Sequence, residues 1–198
     1  MNYKTAFDGV APIANKLGAF LAHSIVRRAL CEPEKPLRLR KIMDEGQILI
    51  VNLAKGQLGA DTSNVLGGMI ASGLAHAALS RHNLPEAERR PYFLYIDEFH
   101  AFTTDAMAEM LSELRKYGLS LTLANQYFGQ IEGDVLDALL GNAGTLIAFR
   151  VSPKDAPALT RQFDGVEPRD LISMPNYQML VKLMVDGERS KAFTAWGA

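Results

Sequence analysis

An apolar run that leads into two adjacent carboxylates, YFLYIDEFH at residues 92–100, limits the folds that this chain can adopt. A strand that is apolar on both faces is typical of the middle of a covered, mostly parallel sheet, because helices then shield both of its sides. In open α/β sheets, ligands bind beyond the carboxyl ends of the strands. Asp97 and Glu98 come directly after the run, so we predict that both face a ligand.

Strand patterns and helical patterns alternate along the chain. Further strands are predicted at QILIVNL (47–53), LSLTLA (119–124) and TLIAFR (145–150). Helices are predicted over residues 13–30, 61–81, 105–116, 135–140 and 155–163. This alternation predicts an α/β fold with a mostly parallel sheet and helices on both of its faces. Strand patterns at 178–185 and 191–195, joined by Asp186 and Gly187, predict a C-terminal β-hairpin.

Local signals mark where two of the helices begin and end. Asp61, Thr62 or Ser63 is predicted to cap the helix that runs to about residue 81. Gly118 is predicted to close the helix that precedes LSLTLA, because glycine readily adopts the left-handed conformation of a helix C-cap. At the level of domains, residues 1–46 are predicted to form a helical segment and linker, and residues 47–198 the α/β domain.

Composition limits the classes of protein that fit. The net charge of −1 gives no overall basic surface, so any contact with DNA would need local patches or assembly. The single Cys31 excludes an internal disulfide and favours a reducing, cytoplasmic setting. No apolar run approaches the roughly 20 residues that cross a bilayer, and no signal-peptide pattern opens the sequence.

An apolar strand that ends in Asp-Glu is the pattern of a Walker B element in P-loop NTPases. Asp97 is predicted to hold Mg²⁺, because this hard cation prefers oxygen ligands. Glu98 is predicted to orient and deprotonate the water that attacks the γ-phosphate of ATP. The same pattern also occurs in strands that simply end in a polar turn.

Three further residues are candidates for the same site, each with a structural alternative. Gln126, after LSLTLA, is predicted to contact the γ-phosphate, or else to satisfy loop backbone. Arg115 is predicted to reach a neighbour's nucleotide, or else to act with Lys116 as a solvated cap at a helix C-terminus. Arg150, after TLIAF, is a second nucleotide-sensing candidate or an ordinary strand-end charge.

An alternative interpretation is that Asp97, Glu98 and His100 are metal ligands of a hydrolase. In an extended segment the first two side chains would point to opposite faces. The four histidines of the chain are also scattered, at residues 23, 76, 82 and 100. We therefore do not expect a protein-built metal cluster here.

The order of these motifs resembles the carboxyl-terminal half of the HerA/FtsK superfamily of RecA-like, DNA-pumping ATPases. It is most similar to the conjugative coupling proteins of type IV secretion, from about Gln47 to Phe163, with RKYG before a strand ending in Gln as the most specific element. The resemblance implies a RecA-like P-loop NTPase sheet, with Asp97 and Glu98 as the Walker B pair and Arg115 as a trans-acting arginine finger. It also implies ATP and Mg²⁺ as cofactors, and a hexameric ring that moves DNA and meets secretion-system or nuclease partners.

One part of the family pattern is missing. No G-x-x-x-x-G-K-[ST] loop occurs in the 198 residues, and the nearest cluster, Lys55 to Gly59, has the wrong order and spacing. We expect these residues to be the Walker B half of a larger ATPase, inactive alone and cytoplasmic, or at the cytoplasmic face of the inner membrane if an anchor precedes them. The alternative is a non-catalytic scaffold or interaction domain that keeps the fold without hydrolysing nucleotide.

Overall fold

The structure is a computed structural model that describes residues 12, 14–15, 17–18, 20–32, 34–102 and 113–197. Its helices are α1 (Ser24–Cys31), α2 (Leu39–Glu45), α3 (Lys55–Leu58), α4 (Ala60–Leu79), α5 (Gly133–Asn142), α6 (Ala156–Thr160) and α7 (Pro168–Ile172). Its strands are β1 (Tyr92–Ile96), β2 (Leu119–Leu123), β3 (Leu146–Ala148), β4 (Gln178–Lys182), β5 (Met184–Val185), β6 (Glu188–Arg189) and β7 (Phe193–Trp196). None of the described helices is long and apolar enough to span a membrane.

The first half of the described fold is built on a parallel pair of strands. β1 and β2 pair in register from Tyr92 opposite Leu119 to Ile96 opposite Leu123. One face of this pair packs on α4, where Leu74 is 2% exposed, and on α2 through the fully buried Met43. The parallel arrangement predicted for these two strands is confirmed, and it places both of their carboxyl ends at one edge.

The second half is antiparallel. β4 lies between β3 and β7, and both neighbours run antiparallel to it. β5 and β6 form a tight hairpin in which Asp186 and Gly187 both have positive φ, 50° and 86°, as the predicted hairpin requires. The fold is therefore a mixture of helices, one parallel pair and an antiparallel sheet. In the described ranges the single mostly parallel sheet with helices on both faces that we predicted is not formed.

The predicted strand at residues 47–53 is wrong. The segment has no regular secondary structure, and Ile48 and Ile50 are 90% and 87% exposed. The backbone N–H of Gln47 donates to the carbonyl of Ile42 at 2.9 Å, which closes the end of α2 rather than joining a neighbouring strand. β-branched composition gave the pattern of a strand, but a strand also needs a partner for its backbone groups.

Other differences are three helices that were not predicted, α2, α3 and α7, and the ends of several elements. α4 begins at Ala60 after Gly59, and no side chain caps it, so the predicted cap by Asp61, Thr62 or Ser63 is wrong. The first predicted helix bends at His23 before α1, β3 and α6 are shorter than predicted, and α5 is longer. The predicted helix at 105–116 lies mostly outside the described residues, and its last part, Leu114–Tyr117, is a 3₁₀ turn.

Candidate functional site

The carboxyl ends of β1 and β2 are joined by backbone hydrogen bonds that continue past the strands. The N–H of Ala124 donates to the carbonyl of Ile96 at 2.9 Å, and the N–H of Phe99 donates back to the carbonyl of Ala124 at 3.2 Å. Phe99 is also buried, 6% exposed, so the chain after β1 is anchored in the core. The polar residues that follow both strands are consequently held beside one another at this edge.

Glu98 occupies an unusual backbone conformation. Its φ of 49° lies in the left-handed region, which non-glycine residues seldom adopt. The N–H of Glu98 donates to Oδ1 of Asp97 at 3.0 Å, and the carbonyl of Glu98 accepts from the N–H of Ala101 at 3.0 Å. The extended conformation that we assumed through Asp97 and Glu98 is therefore wrong: β1 stops at Ile96, and a tight turn directs the two carboxylates. Backbone strain of this kind is concentrated at functional sites.

The structure brings two of the predicted residues into direct contact. The side-chain amide Nε2 of Gln126 donates to Oε1 of Glu98. Glu98 is partly buried, with its side chain 28% exposed, whereas Asp97 and Gln126 are exposed. A carboxylate from the turn after β1 and an amide from the segment after β2 thus meet where a ligand at this edge of the sheet would lie.

His100 and Asn125 extend this cluster, and neither was assigned a place in the site from the sequence. Nδ1 of His100 lies 2.6 Å from Oδ1 of Asn125 and 3.4 Å from Oε2 of Glu98. Nδ2 of Asn125 donates to the carbonyl of Tyr127 at 2.6 Å, which orients its Oδ1 toward the histidine. The available signal was the strand-end position of Asn125, but the contact with His100 depends on the turn at Glu98.

Arg115 lies at the opposite end of the same two strands. The 3₁₀ turn Leu114–Tyr117 precedes β2, so Arg115 is at the amino ends of β1 and β2. Five paired residues separate the two ends, which at about 3.3 Å per residue is roughly 16 Å of strand. The side chain of Arg115 is exposed and makes no hydrogen bond or ion pair with other residues that the structure describes, and the backbone carbonyl accepts the N–H of Gly118 at 3.0 Å. The structure therefore does not bring it to Asp97 and Glu98.

Arg150 lies apart from these residues as well. It follows β3 and lines an open groove of about 340 Å³ together with Phe149, Pro175, Asn176, Tyr177 and Gln178. None of Asp97, Glu98 and Gln126 borders this groove. The predicted site residues are thus divided among three places: the carboxyl edge, the turn before β2 and the groove after β3.

The carboxylate oxygens at the carboxyl edge fit a magnesium ion as part of its coordination shell. The carboxylate of Asp97 is exposed, and one of its oxygens accepts a backbone N–H. Mg²⁺ commonly uses one or two carboxylates and takes its other ligands from water and phosphate oxygens. Over the described residues, no group of three His, Cys, Asp or Glu side chains is placed to hold a metal ion. A phosphate-cradling loop is not encoded by these 198 residues.

Residues 91–161, which include β1, β2 and β3, match the family model described as the TraM recognition site of TraD and TraG. The fold is similar to that of the plasmid coupling protein TrwB in complex with the non-hydrolysable GTP analogue GDPNP, with a TM-score of 0.60 and 17% identity over 86% of this chain. It is also similar to the genome packaging NTPase B204 of Sulfolobus turreted icosahedral virus 2 in complex with AMPPCP, with a TM-score of 0.51 and 17% identity over 78% of this chain. The resemblance to HerA/FtsK-type P-loop ATPases is confirmed.

The matches cover only part of the related chains. The chain spans 45% of the TrwB chain and 69% of the B204 chain. A trigonal form of the bacterial conjugative coupling protein TrwBdeltaN70 in complex with sulphate matches with a TM-score of 0.61 over 89% of this chain and 46% of its own. No curated protein matches the sequence. At 17% identity these similarities show the fold alone, which is shared with part of the TrwB and B204 chains.

Proposed function

We propose that this chain is the Walker B half of an ATP-driven, DNA-translocating motor of the conjugative coupling type. The observation that carries the proposal is the convergence of Asp97, Glu98 and Gln126 at the carboxyl edge of the parallel pair β1–β2. Ligands of open α/β sheets bind at this edge, and the similarity in fold to TrwB and B204 in complex with nucleotide analogues favours a nucleotide as the ligand.

Each residue has a defined role in the proposed site. Asp97 would hold the Mg²⁺ of Mg·ATP, since its carboxylate is exposed. Glu98 would orient and deprotonate the attacking water. Gln126, whose side-chain amide donates to the carboxylate of Glu98, would contact the γ-phosphate. Mg²⁺ bound there would neutralise charge that develops on the phosphate oxygens. Arg150 would sense nucleotide from the groove after β3.

The position of Arg115 supports an assembly of several subunits. A finger residue at the amino end of the strands, roughly 16 Å of strand from its own Glu98, would act on a neighbour's nucleotide rather than its own. A closed ring gives every subunit such a neighbour, and a hexameric ring around DNA is the assembly we propose. The phosphate-binding loop of the motor would come from sequence outside these 198 residues.

The test is Glu98→Gln in the complete protein. Turnover, measured as phosphate release from Mg·ATP, is expected to fall about 100-fold or more, because an amide cannot take the proton of the attacking water. Affinity for a labelled ATP analogue should stay unchanged. Glu86→Gln, at an exposed position away from the site, is the matched control. Turnover of Glu98→Gln at the parental rate would contradict the proposal.

A non-catalytic interaction domain is the second candidate. Two observations favour it: the missing G-x-x-x-x-G-K-[ST] loop and a family match whose description is a recognition site. Calorimetric titration of the complete protein with Mg·ATP separates the two candidates. Saturable binding supports the motor, whereas no binding by a complete protein that also lacks the loop supports the interaction domain.

A further inference from the structure

Arg81 is a fully buried cation at the end of α4. It is 0% exposed, and its Nε donates to Oδ1 of Asp44 on α2 at 2.9 Å. Its Nη1 donates to two backbone carbonyls, that of Arg90 at 2.9 Å and that of Tyr117 at 3.2 Å. Arg90 leads into β1 and Tyr117 precedes β2. One buried guanidinium therefore joins a helix, the entry to β1 and the turn that carries Arg115.

Arg89 binds the same turn from the other side. Its Nη1 donates to the carbonyl of Lys116 at 2.5 Å, and its Nε donates to the carbonyl of Leu84 at 3.0 Å. Its guanidinium carbon lies 5.2 Å from the centroid of the Tyr117 ring, within the range of a cation–π interaction. Arg89 thus fixes the backbone of Lys116 and the side chain of Tyr117 together.

The backbone carbonyl of Gly118 is held by a hydrogen bond as well. Its φ is 76°, and its carbonyl accepts the N–H of Tyr92 at 2.8 Å. With the bonds from Arg81 and Arg89, the three successive carbonyls of residues 116–118 all accept donors from the segment 81–92. On the other side of Arg115, Leu114 is 2% exposed and packs in the core with Met43.

The backbone on both sides of Arg115 is consequently fixed, while its side chain projects into solvent without a partner in the described ranges. The adjacent Lys116 instead lies 3.9 Å from Glu113. A side chain that must meet a nucleotide on another subunit gains from such pre-organisation, because a displacement of about 1 Å can cost a hundredfold in rate.

We propose that Arg81 and Arg89 are positioning residues for Arg115. Together they hold the Leu114–Gly118 turn so that the guanidinium of Arg115 is presented to the nucleotide of the neighbouring subunit. Neither contacts the nucleotide. The proposal rests on the proposed function, in which Arg115 acts in trans, and it adds the part of the fold that sets where this arginine lies.

The experiment uses Arg89→Gln in the complete protein, because Arg89 is partly exposed and its loss leaves the ion pair between the buried Arg81 and Asp44 in place. We expect kcat for ATP to fall about 10- to 100-fold with KM within about twofold, as for a misplaced catalytic group. Arg89→Lys, which keeps the charge, should recover part of the loss. Arg169→Gln, which removes an exposed arginine paired with Glu167, is the matched control at parental kcat.

Mixing subunits distinguishes positioning of Arg115 from general damage. Arg89→Gln subunits retain their own carboxyl edge but present a misplaced finger, so mixing them with Asp97→Asn subunits should restore part of the activity, as mixing Arg115→Ala subunits should. Parental kcat in Arg89→Gln while Arg115→Ala is inactive would overturn the positioning role. Failure of Arg89→Gln to complement, when Arg115→Ala does so, would also overturn it.

A trypsin digest of the folded protein tests the same turn without relying on turnover. Cleavage after Arg115 and Lys116 should be faster in Arg89→Gln than in the parent and unchanged in Arg169→Gln, because local opening exposes the cleavage sites. Equal cleavage rates would overturn the fixed turn. If Arg115→Ala itself turned over at the parental rate, the proposed function would fail, and the digest would still decide whether Arg89 holds the turn.

Discussion

The two ends of the β1–β2 pair use polar side chains in different ways. At the carboxyl end, side chains contact one another: Gln126 donates to Glu98, and His100 lies between Glu98 and Asn125. At the amino end, Arg81 and Arg89 donate to backbone carbonyls. Contacts between partly exposed side chains can rearrange when a ligand arrives, whereas bonds from a buried arginine to backbone fix the chain. The carboxyl end therefore has the properties of a ligand-binding site. The amino end is a rigid structural support, which we call the frame.

The two groups that the proposed chemistry needs lie at different ends of the β1–β2 pair. Glu98 belongs to the carboxyl end and Arg115 to the amino end, with five paired residues between them. A single subunit cannot bring both to one phosphate without breaking the strand pair.

Arg115→Ala in the complete protein should lower kcat about a thousandfold with nucleotide affinity unchanged, since an arginine finger contributes at least that much. Subunits that carry it, mixed with Asp97→Asn subunits, should recover part of the parental phosphate release, because some interfaces then combine an intact site with an intact finger. Lys116→Ala, on the same turn, is the control. An inactive mixture would place both residues in the same site and end the division between the two ends.

Arg81→Met should destabilise the protein by about 2–3 kcal/mol, measured by urea unfolding, because it leaves the carbonyls of Arg90 and Tyr117 without their donor. The exposed Asp97→Asn should change stability by less than about 0.5 kcal/mol. Equal losses in the two variants would remove the distinction between frame and site.

Gln126→Ala should lower kcat about 100-fold without lowering the free energy of unfolding, because it removes a donor that acts on the reacting groups. The control is Gln130→Ala, at an exposed position just beyond the site. Phosphate release and urea unfolding are measured on the same preparations. A variant that loses stability and keeps its turnover would assign Gln126 to the frame.

Gly118→Ala should cost about 1–2 kcal/mol of stability, because φ is 76° and the added Cβ would lie 3.2 Å from Nη1 of Arg81. Gly187 has a similar φ of 86° with no atom within 4 Å of its Cβ position, so Gly187→Ala should cost less, about 1 kcal/mol. The difference between the two unfolding free energies measures the crowding by Arg81. No difference would mean that Arg81 yields easily and holds the turn weakly.

Residue type sets the local parts of this protein and one long-range consequence of them. The apolar runs of β1 and β2, the left-handed Gly118 and the Asp186–Gly187 turn follow from residue type. The common edge at which Glu98 and Gln126 lie follows from the alternation of strands and helices, because parallel strands end together, whereas their direct contact depends on the turn at Glu98. The roles of Asp97, Glu98, Gln126, Arg115 and Arg150 remain predictions.

Features that depend on distant partners could not be predicted from the sequence, because they arise when remote segments pack together. Residues 47–53 have the composition of a strand, yet they form none, because a strand needs a neighbour for its backbone groups. Arg81 ends a helix in the sequence, but it is buried because Asp44, 37 residues earlier, and the carbonyl of Tyr117, 36 residues later, converge on it. The left-handed turn at Glu98 and its neighbour His100 have the same origin. Residue type sets local conformation, whereas burial and hydrogen-bond partners are set by how distant segments pack.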